Sequence, residues 1–352
     1  MALKKHTHSA IKVPQAADYA AQLLAWFDTH KRDLPWRQAR TPYSVWLAEI
    51  MLQQTTVATV KDYYRRFLER FPTVEVLAAA PLEDVLHLWQ GLGYYSRARN
   101  LHKCAQEVVQ AHGGKFPETA EELQKLAGIG PYTSAAIAAI AFDESATVVD
   151  GNVERVISRL FALETPLPDS RPEIRAYAEK ITPAQRAGDY AEAMMDLGAT
   201  ICTPKSPKCL LCPFATKCKA KATGLEAELP RKKPKAKRPE KQGVAYCFIN
   251  SKQQILLRRR PNKGLLAQLW EVPHTGWEHD HLPLDLKGLP QHAHGAIVHV
   301  FTHFKLTLEV HTIQVAEAVN PEYGEWVAMA EVHTKPLPTL MKKVLGQAGL
   351  FA

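Results

Sequence analysis

Residues 126–140, "LAGIGPYTSAAIAAI", place one isoleucine between two glycines immediately before a helical segment. Glycine permits a tight turn and a close backbone approach, and the free amides at a helix start can hold a phosphate oxygen. Gly-x-Gly before a helix is also ordinary turn chemistry. The stretch therefore predicts a turn between two helices, and it leaves open whether Gly128 and Gly130 also contact a phosphate.

The sequence around this stretch separates into two parts. From residue 17 to residue 221 it is a series of amphipathic helical segments with short breakers. Beyond residue 242 the patterns of "VAYCFIN", "QILLRRR", "FKLTLEV" and "GEWVAM" are typical of strands, and "PTLMKKVLGQA" is typical of one helix. A chain of 352 residues exceeds the length at which one core usually stops growing. We therefore predict a multidomain protein with one all-α domain and one α+β domain.

A basic segment lies between the two parts. Residues 230–242, "PRKKPKAKRPEKQ", contain seven Lys or Arg and one Glu, and so supply +6 of the formal net charge of +8. Three prolines and no apolar periodicity favour a solvated linker, although attraction to nucleic acid also explains such a run. The predicted organisation is a flexible tail over 1–16, a helical domain over 17–221, a basic Pro-rich linker over 222–242 and a second domain over 243–352.

The sequence contains no run of about 18 apolar residues, and no apolar segment follows the lysines near its amino terminus. We therefore expect a soluble cytoplasmic protein that is neither exported nor held in a membrane.

Four of the six cysteines are crowded into residues 202–218, with six, two and five residues between them. In a reducing cytoplasm, clustered cysteines favour metal binding over disulfides. Structural zinc usually pairs its ligands as two CxxC-like units, so this spacing favours an iron–sulfur cluster and leaves zinc as the alternative. Lysines without a neighbouring acid, among them Lys205 and Lys208, suggest phosphate contacts by the same loop. The four candidate ligands are Cys202, Cys209, Cys212 and Cys218.

Glu49 lies in unusual surroundings for a helical glutamate. Thr41 can cap a helix that starts at Pro42, which places Glu49 near the middle of that helix. The residues three and four positions away are Val45, Trp46, Leu52 and Gln53, and none of them is basic. Apolar neighbours disfavour the charged carboxylate, which makes Glu49 a candidate general acid. The alternative is a half-exposed glutamate with no catalytic role.

Asp150 comes directly before a second helical segment, "GNVERVISRLF". Aspartate is a favoured helix cap, and capping alone explains this position. The positive end of the helix also favours the ionised carboxylate. A neutral Glu49 and an anionic Asp150 at one site would form the carboxylate pair that cleaves bonds at an anomeric carbon.

Three features in this order, the hairpin at 126–142, Asp150 and the cysteine loop at 202–218, resemble the iron–sulfur DNA glycosylases of the helix-hairpin-helix superfamily. Within it, "LPWR", "PYSVWLAEIMLQQT", "GLGYYSRARNLH", "VVDGNVERV" and "MMDLGATIC" are most similar to the adenine DNA glycosylase family known as MutY, which removes adenine mispaired with 8-oxoguanine. The resemblance implies one 4Fe-4S cluster on the four cysteines, and DNA-backbone contacts by Gly128, Gly130, Lys205 and Lys208. It also implies a monomer acting at the bacterial nucleoid on double-stranded DNA with A:8-oxoguanine or A:G mispairs.

The resemblance also implies roles for individual residues. Glu49 would protonate adenine at position 7 after the base is flipped out of the duplex, and Asp150 would stabilise the positive sugar. Tyr132 and Asn152 would support Asp150 and position the water. The adenine pocket would be lined by Arg32, Trp36, Arg37 and Glu192. Gln54 and Tyr94 would enter the duplex beside 8-oxoguanine, although without the resemblance both would be predicted as ordinary packing residues.

Residues 243–346 resemble the MutT-like, Nudix-fold domain of the same family. The segment "KGLLAQLWEVP" is retained, but no glutamate-rich helix follows it, so we expect recognition instead of magnesium-dependent hydrolysis. The family's Phe-Ser-His loop that reads 8-oxoguanine corresponds to Phe301, Thr302 and His303. An ordinary hairpin tip is the alternative for these three residues.

Tyr132 separates the closest functional alternatives. Bifunctional relatives, which excise oxidised pyrimidines and then cut the strand, have a lysine at this position, whereas a phenol cannot attack as an amine. A monofunctional glycosylase is therefore predicted. A bifunctional pyrimidine glycosylase, a non-enzymatic iron–sulfur DNA-binding regulator and a remover of thymine from G·T mismatches remain as alternatives.

Overall fold

The computed structural model describes residues 11, 13–234, 237–277, 286, 289–315 and 324–351. Two compact units are present. The first contains Met1–Arg65, Thr73–Glu75 and Cys104–Lys235, and the second contains Arg66–Pro72, Val76–Lys103 and Ala236–Ala352. None of the described helices combines the length and apolar character that crossing a bilayer requires.

The predicted all-α character of residues 17–221 is confirmed. The helices are α1 (Ala16–His30), α2 (Pro42–Leu52), α3 (Val57–Arg70), α4 (Val74–Ala79), α5 (Leu82–Leu88), α6 (Ser96–His112), α7 (Ala120–Leu123), α8 (Pro131–Phe142), α9 (Gly151–Phe161), α10 (Arg171–Ile181), α11 (Ala187–Thr200) and α12 (Lys219–Thr223). Short 3-10 turns occupy Pro35–Arg37 and Cys209–Leu211.

Local chemistry explains why the helices that matter for function start where they do. The Thr41 side chain accepts the amide of Ser44 at the start of α2, with Pro42 in the first turn. Gly130 precedes α8, and Pro131 is its first residue. Asp150 caps α9, and its side chain accepts two backbone amides of the first turn. These three starts are the ones that the sequence predicts.

Helix α8 lies in the core of the first unit, where it contacts α2, α7 and α11. All of its residues from Thr133 to Ile140 are buried, and most of them are alanine, serine or threonine. Small residues let neighbouring helices approach closely: a Cβ added at Gly188 of α11 would lie 2.6 Å from the carbonyl oxygen of Ala139. A Cβ added at Gly198 would lie 2.6 Å from the Cβ of Asn152 on α9. This close packing brings α2, α8, α9 and α11 together around one point.

The second unit contains a mixed sheet. Its strands are β1 (Glu240–Ile249), β2 (Gln254–Arg259), β3 (Trp270–Glu271), β4 (Gln291–Val300), β5 (Lys305–Gln314) and β6 (Glu325–Ala328). The order along the sheet is β3-β2-β1-β5-β4, with β6 paired to β2. Strands β1 and β5 are parallel, and the other pairs are antiparallel. Helix α13 (Thr339–Gln347) contacts β4, in agreement with the predicted α+β class.

Two strands in this sheet were not predicted. In β4 only Ile297 is buried, and the pairing with β5 shifts register between Ala293 and Ala296. Because a bulge interrupts the alternation of apolar and polar residues, the sequence carries no clear strand pattern there. Strand β3 contains two residues, which is too short for periodicity to show.

The compact units differ from the predicted domains in two places. Residues 66–72 and 76–103 group with the second unit instead of the first. Within that unit the indole of Trp270 donates to Glu83 at 3.1 Å, and Arg99 donates to the carbonyl of Ala267 at 2.9 Å. These long-range contacts are not visible in local sequence patterns.

The second difference concerns the solvated linker predicted over 222–242. Leu229 is 2% exposed, and the amide of Leu167 donates to the Arg231 carbonyl at 2.8 Å. Lys233 pairs with Asp169 at 2.6 Å, and β1 already begins at Glu240. A single buried leucine and backbone pairing therefore attach much of this segment to the first unit. Most of the tail predicted over 1–16 lies outside the described residues, and α1 begins at Ala16.

Candidate active site

A cavity of about 940 Å³ lies within the first unit. The carboxyl-terminal half of α2 and the amino-terminal turns of α8 and α9 contribute to its wall. The predicted residues that line it are Arg32, Trp36, Arg37, Glu49, Gln54, Tyr132, Asp150, Asn152 and Glu192. The structure thus brings together both predicted catalytic carboxylates and all four predicted pocket residues.

Glu49 is buried, with 4% of its surface exposed. The hydroxyl of Tyr132 donates to its carboxylate Oε2 at 2.7 Å. Burial raises the pKa of Glu49 to about 7, although the Tyr132 hydrogen bond opposes that rise. The negative charges of Asp150 and Glu192 raise this pKa further. A substantial fraction of Glu49 is therefore protonated near neutral pH, as a general acid requires.

The hydroxyl of Tyr132 contacts Glu49, whereas the sequence resemblance implied support for Asp150. The side chain of Tyr132 projects from the first turn of α8 towards α2, which brings it to the glutamate. Burial raises the pKa of its phenol well above the ordinary value, so the hydroxyl keeps its proton and acts as a donor.

Asp150 is held in place by one hydrogen-bond chain. Its Oδ1 accepts the amides of Asn152 and Val153 at 2.8 and 2.7 Å, and its Oδ2 accepts the side-chain amide of Asn152 at 2.8 Å. Arg155 in turn donates to Asn152 Oδ1 at 2.8 Å and to the backbone carbonyl of Cys202 at 2.7 Å. Asn152 thus holds both oxygens of Asp150, and the chain extends to the cysteine loop.

The arginines of the pocket are held by a residue that sequence reasoning missed. Asp196 on α11 is fully buried and accepts from Arg32 Nε at 2.6 Å and from both terminal nitrogens of Arg37 at 2.8 and 2.9 Å. Glu192 pairs with Arg37 at 3.2 Å and with Arg40 at 2.6 Å. Neither Arg32 nor Arg37 is a simple surface charge, because each is anchored by a buried carboxylate.

A signal for Asp196 was present in the sequence. The residues three and four positions away are Glu192, Ala193, Ala199 and Thr200, and none of them is basic. This is the criterion that identified Glu49, and it applies equally to Asp196. Arg40 offered no comparable signal, since its carboxylate partners Asp189 and Glu192 lie far away in sequence, and the same holds for the contact of Arg155 with Cys202.

The two residues predicted to enter the duplex are exposed. Gln54 follows α2 with a φ of 58°, and Tyr94 has a φ of 46°. Such positive φ angles are uncommon for residues other than glycine. The Tyr94 side chain is 47% exposed, so neither residue has the buried position that ordinary packing would give.

Phe301, Thr302 and His303 form the turn between β4 and β5, closed by a hydrogen bond from the Phe301 amide to the Phe304 carbonyl at 2.9 Å. The ring of Phe301 packs against Trp277 and Phe304, with centroids 5.5 and 4.8 Å away. Thr302 and His303 are exposed, and the Thr302 hydroxyl lies 3.4 Å from that of Tyr94. The packed aromatic rings therefore support the hairpin, and two polar side chains are exposed at its tip.

Cys202, Cys209, Cys212 and Cys218 line one small cavity together with Arg159 and Glu226. Arg159 is 2% exposed and donates to Cys202 Sγ at 3.3 Å. Its other described hydrogen bonds go to backbone carbonyls, so negative charge on the sulfurs would compensate a buried cation. This donor set fits an anionic iron–sulfur cluster. Among the described residues, no group of three or more His, Cys, Asp or Glu has the arrangement of a metal-ion site.

The four residues predicted to contact the DNA backbone do not line the cavity. Gly128 has a φ of 74°, which only glycine adopts readily, and Gly130 directly precedes α8. Lys205 and Lys208 are exposed on the cysteine loop.

Comparison with known proteins identifies the family. Residues 47–184 match the HhH-GPD superfamily of base excision DNA repair proteins, and residues 244–347 match the NUDIX domain. The human adenine DNA glycosylase is 37% identical over 94% of this chain and 74% of its own length. The adenine DNA glycosylase of Buchnera aphidicola subsp. Baizongia pistaciae is 32% identical over 94% of this chain and 96% of its own length.

The chain belongs to the adenine DNA glycosylase family. It is a DNA glycosylase of base excision repair that acts on adenine. A thermostable thymine-DNA glycosylase superposes with a TM-score of 0.54 and 30% identity over 59% of this chain and 97% of its own. Endonuclease III in a non-covalent DNA complex superposes with a TM-score of 0.52 and 27% identity over 61% of this chain and 99% of its own. Members of this group generally carry a 4Fe-4S cluster, which agrees with the cysteine cavity.

Replacing Asp196 with asparagine removes the charge that holds Arg32 and Arg37. Because truncating one partner of a buried pair leaves an uncompensated charge, we expect the free energy of unfolding in urea to fall by about 3 kcal/mol. Asp28→Asn, which breaks a 2.5 Å ion pair between Arg186 and a half-exposed aspartate, is the matched control and should change stability little. Equal losses in the two variants would contradict the anchoring role of Asp196.

Proposed function

We propose that this adenine DNA glycosylase removes adenine mispaired with 8-oxoguanine, or with guanine, from double-stranded DNA by a monofunctional mechanism that leaves an abasic site. The observation that carries the proposal is the buried Glu49, hydrogen-bonded to Tyr132, in one cavity with Asp150.

The first step is recognition of the flipped adenine. Flipping costs a few kcal/mol, and less at a mispair, because the base is already poorly paired. Trp36 offers a flat apolar surface at the cavity, and Arg37 and Glu192 offer a donor and an acceptor fixed by their mutual ion pair. Asp196 keeps Arg32 and Arg37 in place for this contact.

Glu49 then acts as general acid. The proton on its carboxyl passes to nitrogen 7 of adenine, the bond between the sugar C1′ and nitrogen 9 breaks, and adenine leaves as the neutral base. A raised pKa suits this step, because an ordinary glutamate would already be ionised at neutral pH. The hydrogen bond from Tyr132 stabilises the carboxylate that remains after the transfer.

Asp150 stabilises the positive charge that develops on the sugar. Three hydrogen bonds from the first turn of α9 and from Asn152 fix the orientation of its carboxylate before the reaction. Water then bonds to C1′ and returns its proton to Glu49. The sugar ends with a hydroxyl, and the enzyme returns to its starting state.

The monofunctional assignment rests on the nucleophile. Strand cleavage by a bifunctional glycosylase needs an amine that forms a Schiff base with the sugar. The described lining of the cavity contains arginines and Tyr132 but no lysine, and an arginine does not supply a free amine. Water is therefore the proposed nucleophile, directly or after transient attack by Asp150.

We assign recognition of the base opposite adenine to the second unit, and separation of the two bases to Gln54 and Tyr94. Phe301 supports the β4–β5 turn, and Thr302 and His303 present hydrogen-bonding groups at its tip. The exposed Tyr94 would stack on a base, and the exposed Gln54 would enter the duplex and help to hold the bases apart. We also propose that the protein acts as a monomer.

The four cysteines are proposed to hold one 4Fe-4S cluster, which when bound cross-links the loop over residues 202–218 and supplies no step of bond cleavage. The loop would then present Lys205 and Lys208 to the phosphate backbone, while Gly128 and Gly130 present the amides at the start of α8. Arg155 ties this loop to Asn152, so loss of the cluster should also disturb Asp150.

The function is tested by single-turnover assays on duplexes with A opposite 8-oxoguanine, A opposite G, and thymine glycol opposite A, each with and without alkali. We expect adenine loss to be fastest opposite 8-oxoguanine, with strand breaks only after alkali. Cleavage of thymine glycol without alkali would instead establish a bifunctional enzyme. Full activity in a Glu49→Gln, Asp150→Asn double variant would contradict the assigned chemistry.

The pH profile tests the role of Glu49. Because the protonated carboxyl is the active form, the single-turnover rate should fall as pH rises above about 7, by about tenfold per pH unit. Tyr132→Phe removes a hydrogen bond that favours the ionised form, so this alkaline limb should move to higher pH.

Tyr190→Phe is the matched control for the pH experiment, because the Tyr190 hydroxyl is buried, has no described hydrogen-bond partner and does not line the cavity. Its alkaline limb should coincide with that of the unmodified protein. A limb that stays in place in Tyr132→Phe, or moves towards acid, would refute the assignment.

A further inference from the structure

The loop that carries Tyr94 has an unusual backbone. Between α5 and α6, Gly91, Gly93 and Tyr94 have φ angles of 97°, 71° and 46°. Glycine adopts such angles easily, but a tyrosine is strained there. The loop therefore needs other interactions to keep the exposed Tyr94 ring in place.

Arg97, in the first turn of α6, supplies these interactions. It is 8% exposed, and its Nη2 donates to the carbonyls of Leu92 at 3.1 Å and Gly93 at 3.2 Å. The Gly93 carbonyl also accepts the indole nitrogen of Trp89 at 3.0 Å. One buried guanidinium thus binds two consecutive carbonyls of the strained segment.

The same guanidinium lies over two aromatic rings. Its central carbon is 5.1 Å from the centroid of Trp89 and 5.6 Å from that of Tyr94. Burial lowers the pKa of Arg97 to about 10, and Tyr94 acts against this shift, so the group remains a cation at neutral pH. A cation over an aromatic face is attracted by the ring quadrupole, more strongly where water is excluded. Arg97 therefore contacts both the backbone and the ring of the loop.

We infer that Arg97 is a positioning residue that clamps residues 91–95 and presents the Tyr94 ring for insertion into the duplex. The inference rests on the proposed function, in which Tyr94 enters DNA beside the base opposite adenine. It adds that affinity for the opened duplex depends on a side chain that does not itself contact DNA.

The planar guanidinium suits this role. Its Nη2 donates to two carbonyls while its central carbon lies over two rings, whereas a lysine ammonium is a compact charge without a planar face. Arg97→Lys should retain part of the function, and Arg97→Met, which keeps much of the apolar stem, should lose it.

The test is a double-mutant cycle with Tyr94→Ala, read as the dissociation constant for a duplex with non-cleavable 2′-fluoroadenosine opposite 8-oxoguanine. A 2-aminopurine next to the 8-oxoguanine reports unstacking through its fluorescence. Loss of base stacking on an aromatic ring corresponds to about 5- to 150-fold in affinity. We expect Tyr94→Ala to weaken binding within this range and Arg97→Met to weaken it about fivefold or more.

The decisive comparison is made in the Tyr94→Ala background. If Arg97 acts through Tyr94, Arg97→Met should there change affinity by less than about twofold, because the ring that it positions is gone. Arg97→Lys should restore part of the 2-aminopurine signal in the chain that keeps Tyr94. Arg70→Met, at an arginine 61% exposed that pairs with Asp84, is the control and should leave the signal unchanged.

Two outcomes would overturn the inference, and they are distinguishable. If Tyr94→Ala binds as tightly as the unmodified chain, the proposed role of Tyr94 fails, and the inference fails with it. If Tyr94→Ala weakens binding but Arg97→Met has the same effect in both backgrounds, Arg97 acts independently of the ring and only the inference fails. Urea midpoints of all variants show whether a loss of affinity reflects unfolding instead.

Discussion

The site depends on a carboxyl group that is kept out of water. Glu49 is 4% exposed in the middle of a helix whose other buried residues, apart from Ser44, are apolar, and the Tyr132 hydroxyl contacts its Oε2. Burial favours the neutral acid and the hydrogen bond favours the ion, and burial is the larger effect. An acid that gives up a proton and takes it back near neutral pH needs this balance, because a stronger stabilisation of either form would prevent turnover.

The surrounding fold can be understood as the support for that balance. Small residues on α8 and α11 let α2, α9 and α11 approach closely, and the glycines at 188 and 198 leave no room for even a methyl group. The amino-terminal turns of α8 and α9 then place Tyr132 and Asp150 at the wall of one cavity. Asp150 is oriented by the amides of its own helix, so its position follows from capping, and in the proposed mechanism this carboxylate stabilises the sugar. Asp196 and Glu192 hold the arginines of the cavity, Arg32 and Arg37, in ion pairs.

Much of this could be predicted from local sequence patterns. Thr41, Pro42 and Asp150 act within one turn of their own position, so their capping roles were visible before the structure. Glu49 was visible because a helical glutamate without basic neighbours is unusual. The contact between Tyr132 and Glu49 could not be predicted, because it joins residues 83 positions apart. Distance in sequence is also the reason that the contact of Arg155 with Cys202 and the packing of residues near Leu229 were not predicted. Strand β4 was not predicted because a bulge interrupts its alternating pattern.

The most direct test of this account is a titration of Glu49 itself, by carbon-13 NMR of protein labelled at glutamate carboxyls, with the resonance identified by its absence in Glu49→Gln. The account predicts a midpoint near 7, and a midpoint that rises further in Tyr132→Phe. A midpoint close to 4.5, the ordinary value for glutamate, would contradict it, because Glu49 would then be ionised at neutral pH and could not supply the proton.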